Sequence, residues 1–327
     1  MNHSILALIT FLLIMPGTTV LAEHGGDIEF TDPKLIFSMP KGWADKPVKY
    51  EEGTKADVVI SLDQQSYVAL KDKILTYAEK TNTRIVVKEG TCGFSRSHLE
   101  KKTIDIGGFC CSPGHSDRLP DLKFHTLGIA SVALIVHPDN ELKNVTFQQA
   151  RDLFNGNIET WSQLGLKNPY PVVPVVRLHC KKRAGHWRLL LPNEDRFSIY
   201  VHDVGVIPDM ISKVAKEKNA IGFETLLMAK EYKTKGNVKP ITIDGIAPED
   251  TDALIRTAYP IYRTYGITTW TGKNKNPHAE KLVRYLLDTA DDMREYHFVS
   301  HKKLRAAGWE FFGNELVGEP EVIRKMQ

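Results

Sequence analysis

In residues 58–107, short apolar runs alternate with segments in which apolar residues recur at the spacing of a helix. Residues 58–60 and 84–87 are apolar enough to form buried strands. Between them, one apolar stripe recurs every three or four positions, namely Tyr67, Leu70, Ile74 and Ala78. A short helix at 97–101 and a third strand at 104–107 complete a βαβαβ unit. Because helices form the crossovers, the three strands are predicted to lie parallel.

The same alternation continues through the rest of the chain. A long apolar strand at 127–137 precedes a helix that Thr146 caps and that Asn155 and Gly156 end. Further strands are predicted at 172–178, 220–223, 241–243 and 265–270, with helices at 209–218 and around Leu282 and Leu286. The pattern predicts an α/β fold made of two successive units.

The first 22 residues have the pattern of a cleaved secretory signal. They contain no Asp, Glu, Lys or Arg, have an apolar run from Ile5 to Met15, and end in small residues at Ala22. The run is shorter than the roughly 20 apolar residues that a spanning helix needs. We therefore expect a signal peptide at 1–22 and a periplasmic chain without a membrane-inserted segment.

Length and charge narrow the class of protein. A chain of 327 residues exceeds what one hydrophobic core comfortably fills, so two lobes are expected. The 43 basic and 40 acidic residues nearly balance, and no long run of one sign suggests a nucleic-acid surface. An electrostatic partner such as a nucleic acid is therefore not indicated.

Four segments, in order, resemble the periplasmic phosphate-binding family of type II solute receptors. They are residues 105–108, residues 135–140 with 152–156 and Trp161, residues 219–223, and residues 243–248. The resemblance implies a two-lobed Venus-flytrap fold with a mixed, mostly parallel sheet in each lobe. It also implies lobe boundaries at 23–128, 129–259 and 260–327, capture of a ligand without catalysis, and a membrane transporter or sensor kinase as partner.

The loops that hold the ligand in this family are altered here. The first loop carries Thr91, Cys92 and Gly93, the second carries Cys110 and Cys111, and the third follows Arg177, which matches a family arginine. The third loop also carries Cys180, so all four cysteines of the chain fall on the three predicted cleft loops. Thiols are poor partners for phosphate oxygens, so inorganic phosphate becomes a doubtful ligand.

Thiolates bind soft, polarisable centres, so the leading prediction is a thiol-lined cleft around a thiophilic species. The predicted ligand is arsenite or a soft metal ion such as copper or zinc. The predicted metal ligands are Cys92, Cys110, Cys111, Cys180, His115 and His186. The other predicted contacts are Gln65 and Ser66, where the first strand meets its helix, and Thr91, Gly93, Arg177, His179 and Arg183.

Two alternatives remain open at this point. In an oxidising compartment four cysteines often form disulfides, here Cys92 with Cys110 or Cys111, which would leave a receptor for phosphate or another oxyanion. A more distant alternative is a thiol- or metal-dependent redox enzyme, in which Cys180 would act with His179 or His186.

Overall fold

The computed structural model describes residues 30–178 and 189–320. The predicted signal segment at 1–22 and the predicted site residues His179, Cys180, Arg183 and His186 lie outside these ranges. Within them, every helix is too short or too polar to cross a bilayer.

The elements are numbered here in chain order. The strands are β1 (Val58–Asp63), β2 (Ile85–Gly90), β3 (Ile106–Phe109), β4 (Leu122–Val136), β5 (Asn144–Val145), β6 (Val173–Val176), β7 (His202–Asp203), β8 (Ala220–Thr225), β9 (Lys239–Ile243), β10 (Tyr262–Trp270), β11 (Phe298–Ser300), β12 (Glu310–Phe312) and β13 (Glu315–Gly318). The helices are α1 (Gln64–Thr81), α2 (Cys92–Glu100), α3 (Phe147–Asn155), α4 (Ile207–Lys216), α5 (Leu226–Glu231), α6 (Thr251–Ile255), α7 (Pro277–Asp288) and α8 (His301–Ala306).

One large sheet runs through the described residues, in the order β2-β1-β3-β10-β4-β8-β6-β7. The outer strands are parallel on both sides of the sheet. On one side, β2 and β3 pair with β1, and on the other side, β7 and β8 pair with β6. The central pair β10 and β4 runs antiparallel to its neighbours. The predicted mixed α/β class and the parallel βαβαβ unit are confirmed.

Strand β4 joins the two parallel groups. Its first part, from Leu122 to Ser131, pairs with β10, and its last part, from Val132 to Val136, pairs with β8. The strand is almost wholly buried, as its long apolar run predicts. The lobe boundaries at 128 and 259 stay a prediction.

The carboxyl ends of β1, β2 and β3 meet at one edge of the sheet. Asp63 and Gly90, the last residues of β1 and β2, are paired in register. Helices α1 and α2 begin directly after these strands, and Cys110 follows β3. Three loops and two helix N-termini therefore lie together, which is where open parallel sheets bind ligands.

Local capping explains the boundary error at the second helix, and the long strand predicted from 127 likewise begins five residues earlier, at Leu122. The second helix was predicted at 97–101 but begins at Cys92, because the Thr91 hydroxyl accepts the N–H of Phe94 at 3.1 Å. The third strand was predicted from 104 but begins at Ile106, since the Asp105 side chain binds the N–H of Val59 instead. Cys92 is thereby placed in the first turn of a helix.

Gly128 provides a test of the packing around β4. A methyl group there would overlap the backbone oxygen of Val299 and the ring of Phe298 on β11. Because backbone cannot move aside cheaply, Gly128→Ala should lower the free energy of unfolding by about 1–3 kcal/mol or more. Denaturant titration measures this, and Gly205→Ala, where nothing lies within 4 Å, is the matched control. Equal stability of the two variants would contradict the packing described here.

Candidate functional site

A narrow cleft opens where these loops meet. Residues from the first parallel group face residues from the second across it. Its lining is Asp63, Gln64, Gln65, Gly90, Thr91, Cys92, Cys110, Arg177, Ile207 and Arg263. The loops brought together by β1, β2 and β3 thus form one wall, and Arg177 after β6 and Ile207 of α4 form the other.

Cys92 and Cys110 lie on the first wall, and Cys111 lies beside them. The Sγ atoms of Cys92 and Cys110 are 3.4 Å apart, and those of Cys110 and Cys111 are 4.0 Å apart. All three sulfur atoms lie within 4.8 Å of one another, and each residue is at most 4% exposed. These separations exceed the bond length of a disulfide, about 2 Å. A disulfide within the group stays a prediction.

Two donors point at this sulfur group. The backbone N–H of Cys110 approaches Cys92 Sγ at 3.4 Å, and Nη1 of Arg263 approaches Cys110 Sγ at 3.4 Å. A hydrogen bond with Cys111 lowers the pKa of Cys110, but the contact with Cys92 and burial outweigh it and hold the pKa well above its usual value. Cys110 is therefore a neutral thiol at neutral pH.

A buried ionic network stands beside the thiols. Glu224 on β8 lies 3.3 Å from Nη2 of Arg263 and 3.7 Å from Nη1 of Arg177. The amide of Gln65 donates to Glu224 at 2.5 Å, and the hydroxyl of Tyr265 donates to Gln65 at 3.1 Å. The network joins β8 and the end of β6 to the central strand β10 and, through Gln65, to helix α1. Its side chains are buried, so their charges require partners.

Several buried polar atoms in this region make no hydrogen bond among the described residues. They are Asp63 Oδ2, Ser66 Oγ, Glu224 Oε2, and Nε and Nη2 of Arg263. Buried polar atoms are almost always paired, so such a concentration indicates a site that a polar ligand completes. Asp63 uses its other oxygen to cap α1, accepting from the N–H groups of Gln65 and Ser66.

The structure places the remaining predicted site residues in different surroundings. Thr91 caps α2 and lines the cleft, whereas Gly93 is exposed one residue further on and outside the lining. Gln65 and Ser66 are buried in the first turn of α1, and Arg177 is buried directly after β6. His115 is exposed, lies outside the sulfur group, and packs its ring against Phe37.

Sequence reasoning missed Asp63, Glu224 and Arg263. Asp63 had a usable signal, because an acidic residue between a strand and a helix is a typical N-cap. Glu224 and Arg263 are charged residues inside buried strands, which also marks them as unusual. Their partnership could not be deduced, since they are far apart in sequence.

Comparison with known proteins identifies the family. Residues 48–290 match the model of the PBP superfamily domain. The chain therefore belongs to the PBP superfamily, and the predicted likeness to phosphate-binding, type II solute receptors is confirmed.

Individual relatives are more distant. The chain is 23% identical over 201 residues to the phosphate-binding protein PstS of Bacillus subtilis (strain 168), covering 59% of this chain and 65% of that protein. Its fold resembles a putative phosphate ABC transporter substrate-binding protein with bound phosphate from Clostridium perfringens, with a TM-score of 0.64, 18% identity and coverage of 74% and 98%. It also resembles an ABC-type phosphate transport receptor from Vibrio cholerae, with a TM-score of 0.58, 19% identity and coverage of 74% and 99%.

The buried thiol of Cys110 can be tested by alkylation. Iodoacetamide attacks thiolates, so burial and the raised pKa should make Cys110 react at least about tenfold more slowly in the folded protein than in the unfolded chain. Peptide mass spectrometry after timed quenching, with reductant removed just before labelling, measures both rates. Equal rates would show that the thiol is exposed and ionised in solution.

Proposed function

We propose that this protein is an extracytoplasmic solute-binding receptor that captures a small oxyanion, with phosphate as the first candidate. The observation that carries the proposal is the set of buried polar atoms around the cleft that make no hydrogen bond among the described residues, above all Nε of Arg263, whose Nη2 lies 3.3 Å from Glu224. A buried guanidinium group with an N–H direction left for a ligand is a strong anion partner.

Other groups in and beside the cleft fit the same ligand. Arg177 supplies a second guanidinium group in the lining, and Ser66 Oγ, next in sequence to the lining residue Gln65, supplies a hydroxyl. The first turns of α1 and α2 bring backbone N–H groups and positive helix dipoles. When ionised, Asp63 Oδ2 can accept a hydrogen bond but cannot donate one. It therefore favours an oxyanion that still carries a proton, such as hydrogen phosphate, over sulfate.

The relatives support this choice over the thiophilic ligand that the cysteine pattern favoured. All three compared proteins carry phosphate in their names, as a bound ligand or a transported one. The chain spans about 65% of the length of the curated relative, so its ligand and partners belong to the proposal. Phosphate, doubtful from the cysteine loops alone, becomes the better candidate once Arg263 and Asp63 are known.

The remaining parts of the proposal follow the family. Lobes at 23–128 with 260–327 and at 129–259 would close over the ligand, after removal of residues 1–22 on export to the periplasm. The loaded receptor would deliver its ligand to a transporter or a sensor kinase. The relatives are named as binding proteins and receptors, which supports ligand capture rather than catalysis.

A thiophilic ligand is the second candidate, favoured by three adjacent thiols, two of which, Cys92 and Cys110, line the cleft. A thiophilic ligand would bind to the sulfur atoms, whereas an oxyanion would bind to Arg263, Ser66 and Asp63. The two proposals therefore depend on different side chains and can be separated by substitution.

Phosphate should raise the melting temperature of the wild-type protein, because a ligand that binds the folded state stabilises it. Ser66→Ala should weaken phosphate binding about tenfold or more through loss of a hydrogen bond to a charged ligand. The same change should leave the unliganded stability nearly unaltered, since Ser66 Oγ has no partner among the described residues. Calorimetric titration and thermal melts measure both effects.

Asp63→Asn sharpens the test. Asparagine is an equally good helix cap, but its amide nitrogen would donate where the carboxylate accepts. Phosphate affinity should fall while sulfate affinity rises. Ser162→Ala, at an exposed serine, is the control. Wild-type phosphate affinity in both Ser66→Ala and Asp63→Asn would overturn the proposal.

A further inference from the structure

The sulfur group of Cys92, Cys110 and Cys111 has the dimensions of a three-coordinate site. A central atom bonded to three sulfur atoms at about 2.3 Å holds them roughly 3.5–4 Å apart. Two of the observed separations are 3.4 and 4.0 Å, and the third is no more than 4.8 Å. Small side-chain rotations would therefore suffice to place all three sulfur atoms on one ion.

The group is reachable as well as buried. Cys92 and Cys110 line the cleft, although the side of the group away from the cleft packs into an apolar cluster that includes Phe109, Leu119 and Phe124. A small neutral solute that enters the cleft therefore meets Cys92 and Cys110 first. With apolar side chains behind the group, its own sulfur atoms are the ligands that it offers to an ion.

Charge selects among soft ions. The charged groups that line the cleft are Arg177, Arg263 and Asp63, and the buried carboxylate of Glu224 contacts both arginines behind it; the four charges balance when ionised. Three thiolates around a monovalent or divalent ion leave a net negative charge, which is costly to bury. Three thiolates around a trivalent centre are neutral.

We propose that Cys92, Cys110 and Cys111 together bind trivalent arsenic, supplied as arsenous acid, in a neutral tris-thiolate complex. The inference deepens the second candidate function and rests on it, and it requires neither Cys180 nor a histidine. The oxyanion proposal can fail or succeed independently.

The reaction is a balanced substitution without electron transfer. Three As–O bonds of As(OH)₃ break and three As–S bonds form. Each thiol proton leaves with one hydroxide, so the products are the complex and three water molecules. Neutral thiols, as Cys110 is here, are the correct reactants, and the buried site need not lose a proton to solvent.

The test uses arsenite with reduced, full-length mature protein. Native mass spectrometry should find one arsenic atom per chain, with a mass gain equal to arsenic less three hydrogen atoms. Ultraviolet absorption of the As–S bonds should titrate to the same endpoint. Cys92→Ser, Cys110→Ser and Cys111→Ser should each weaken binding more than about tenfold, because each removes one thiolate, and the corresponding alanine variants should do the same.

Cys180→Ser is the matched control and should bind arsenite as the wild type does. Loss of binding in that variant, or full retention in Cys92→Ser or Cys111→Ser, would overturn the three-residue assignment. Tighter binding of zinc than of arsenite would overturn the charge argument. A phosphate melt on each variant checks that it folds, and it separates failure of this site from failure of the oxyanion proposal.

Discussion

The buried contact of Glu224 with two guanidinium groups is the constraint on which the site depends. Glu224 lies in β8, Arg263 in β10 and Arg177 directly after β6, so one carboxylate connects the central strand β10 with β8 and β6 of the second parallel group. Burying charges is expensive, and breaking such a network leaves uncompensated charge behind. The strands must therefore meet in one register for the side chains to be accommodated, and the same register sets the shape of the cleft.

Arg263 connects the two chemistries that meet there. Its Nη1 points at Cys110 Sγ and its Nη2 lies 3.3 Å from Glu224, while Nε has no hydrogen-bond acceptor among the described residues. A guanidinium group can serve both neighbours because its donors lie in one plane and diverge. The polar part of the cleft and its sulfur part are thus neighbours that share one cation, and a charge placed on either is felt by the other.

The sequence predicts the framework better than the site. Strand and helix periods locate β1, α1, β2 and β4, since burial on one or both faces leaves a direct pattern in the chain. The convergence of three cysteines was foreseen through the family resemblance, which assigned their loops to one cleft. Glu224 and Arg263 were not foreseen, because pairing between distant strands depends on register, which hydrophobic pattern alone does not specify.

Strand β4 has a mechanical consequence. It runs without interruption from its partner β10 to its partner β8, and Gly128 lies against β11 with no room for a methyl group. At this point the two parallel groups are joined by a hydrogen-bonded strand and not by a loop. A rotation that opened the cleft would therefore bend β4 and its partner strands. Bending paired strands costs energy, so such an opening would be opposed by the sheet and its extent would be limited by how far the sheet can twist.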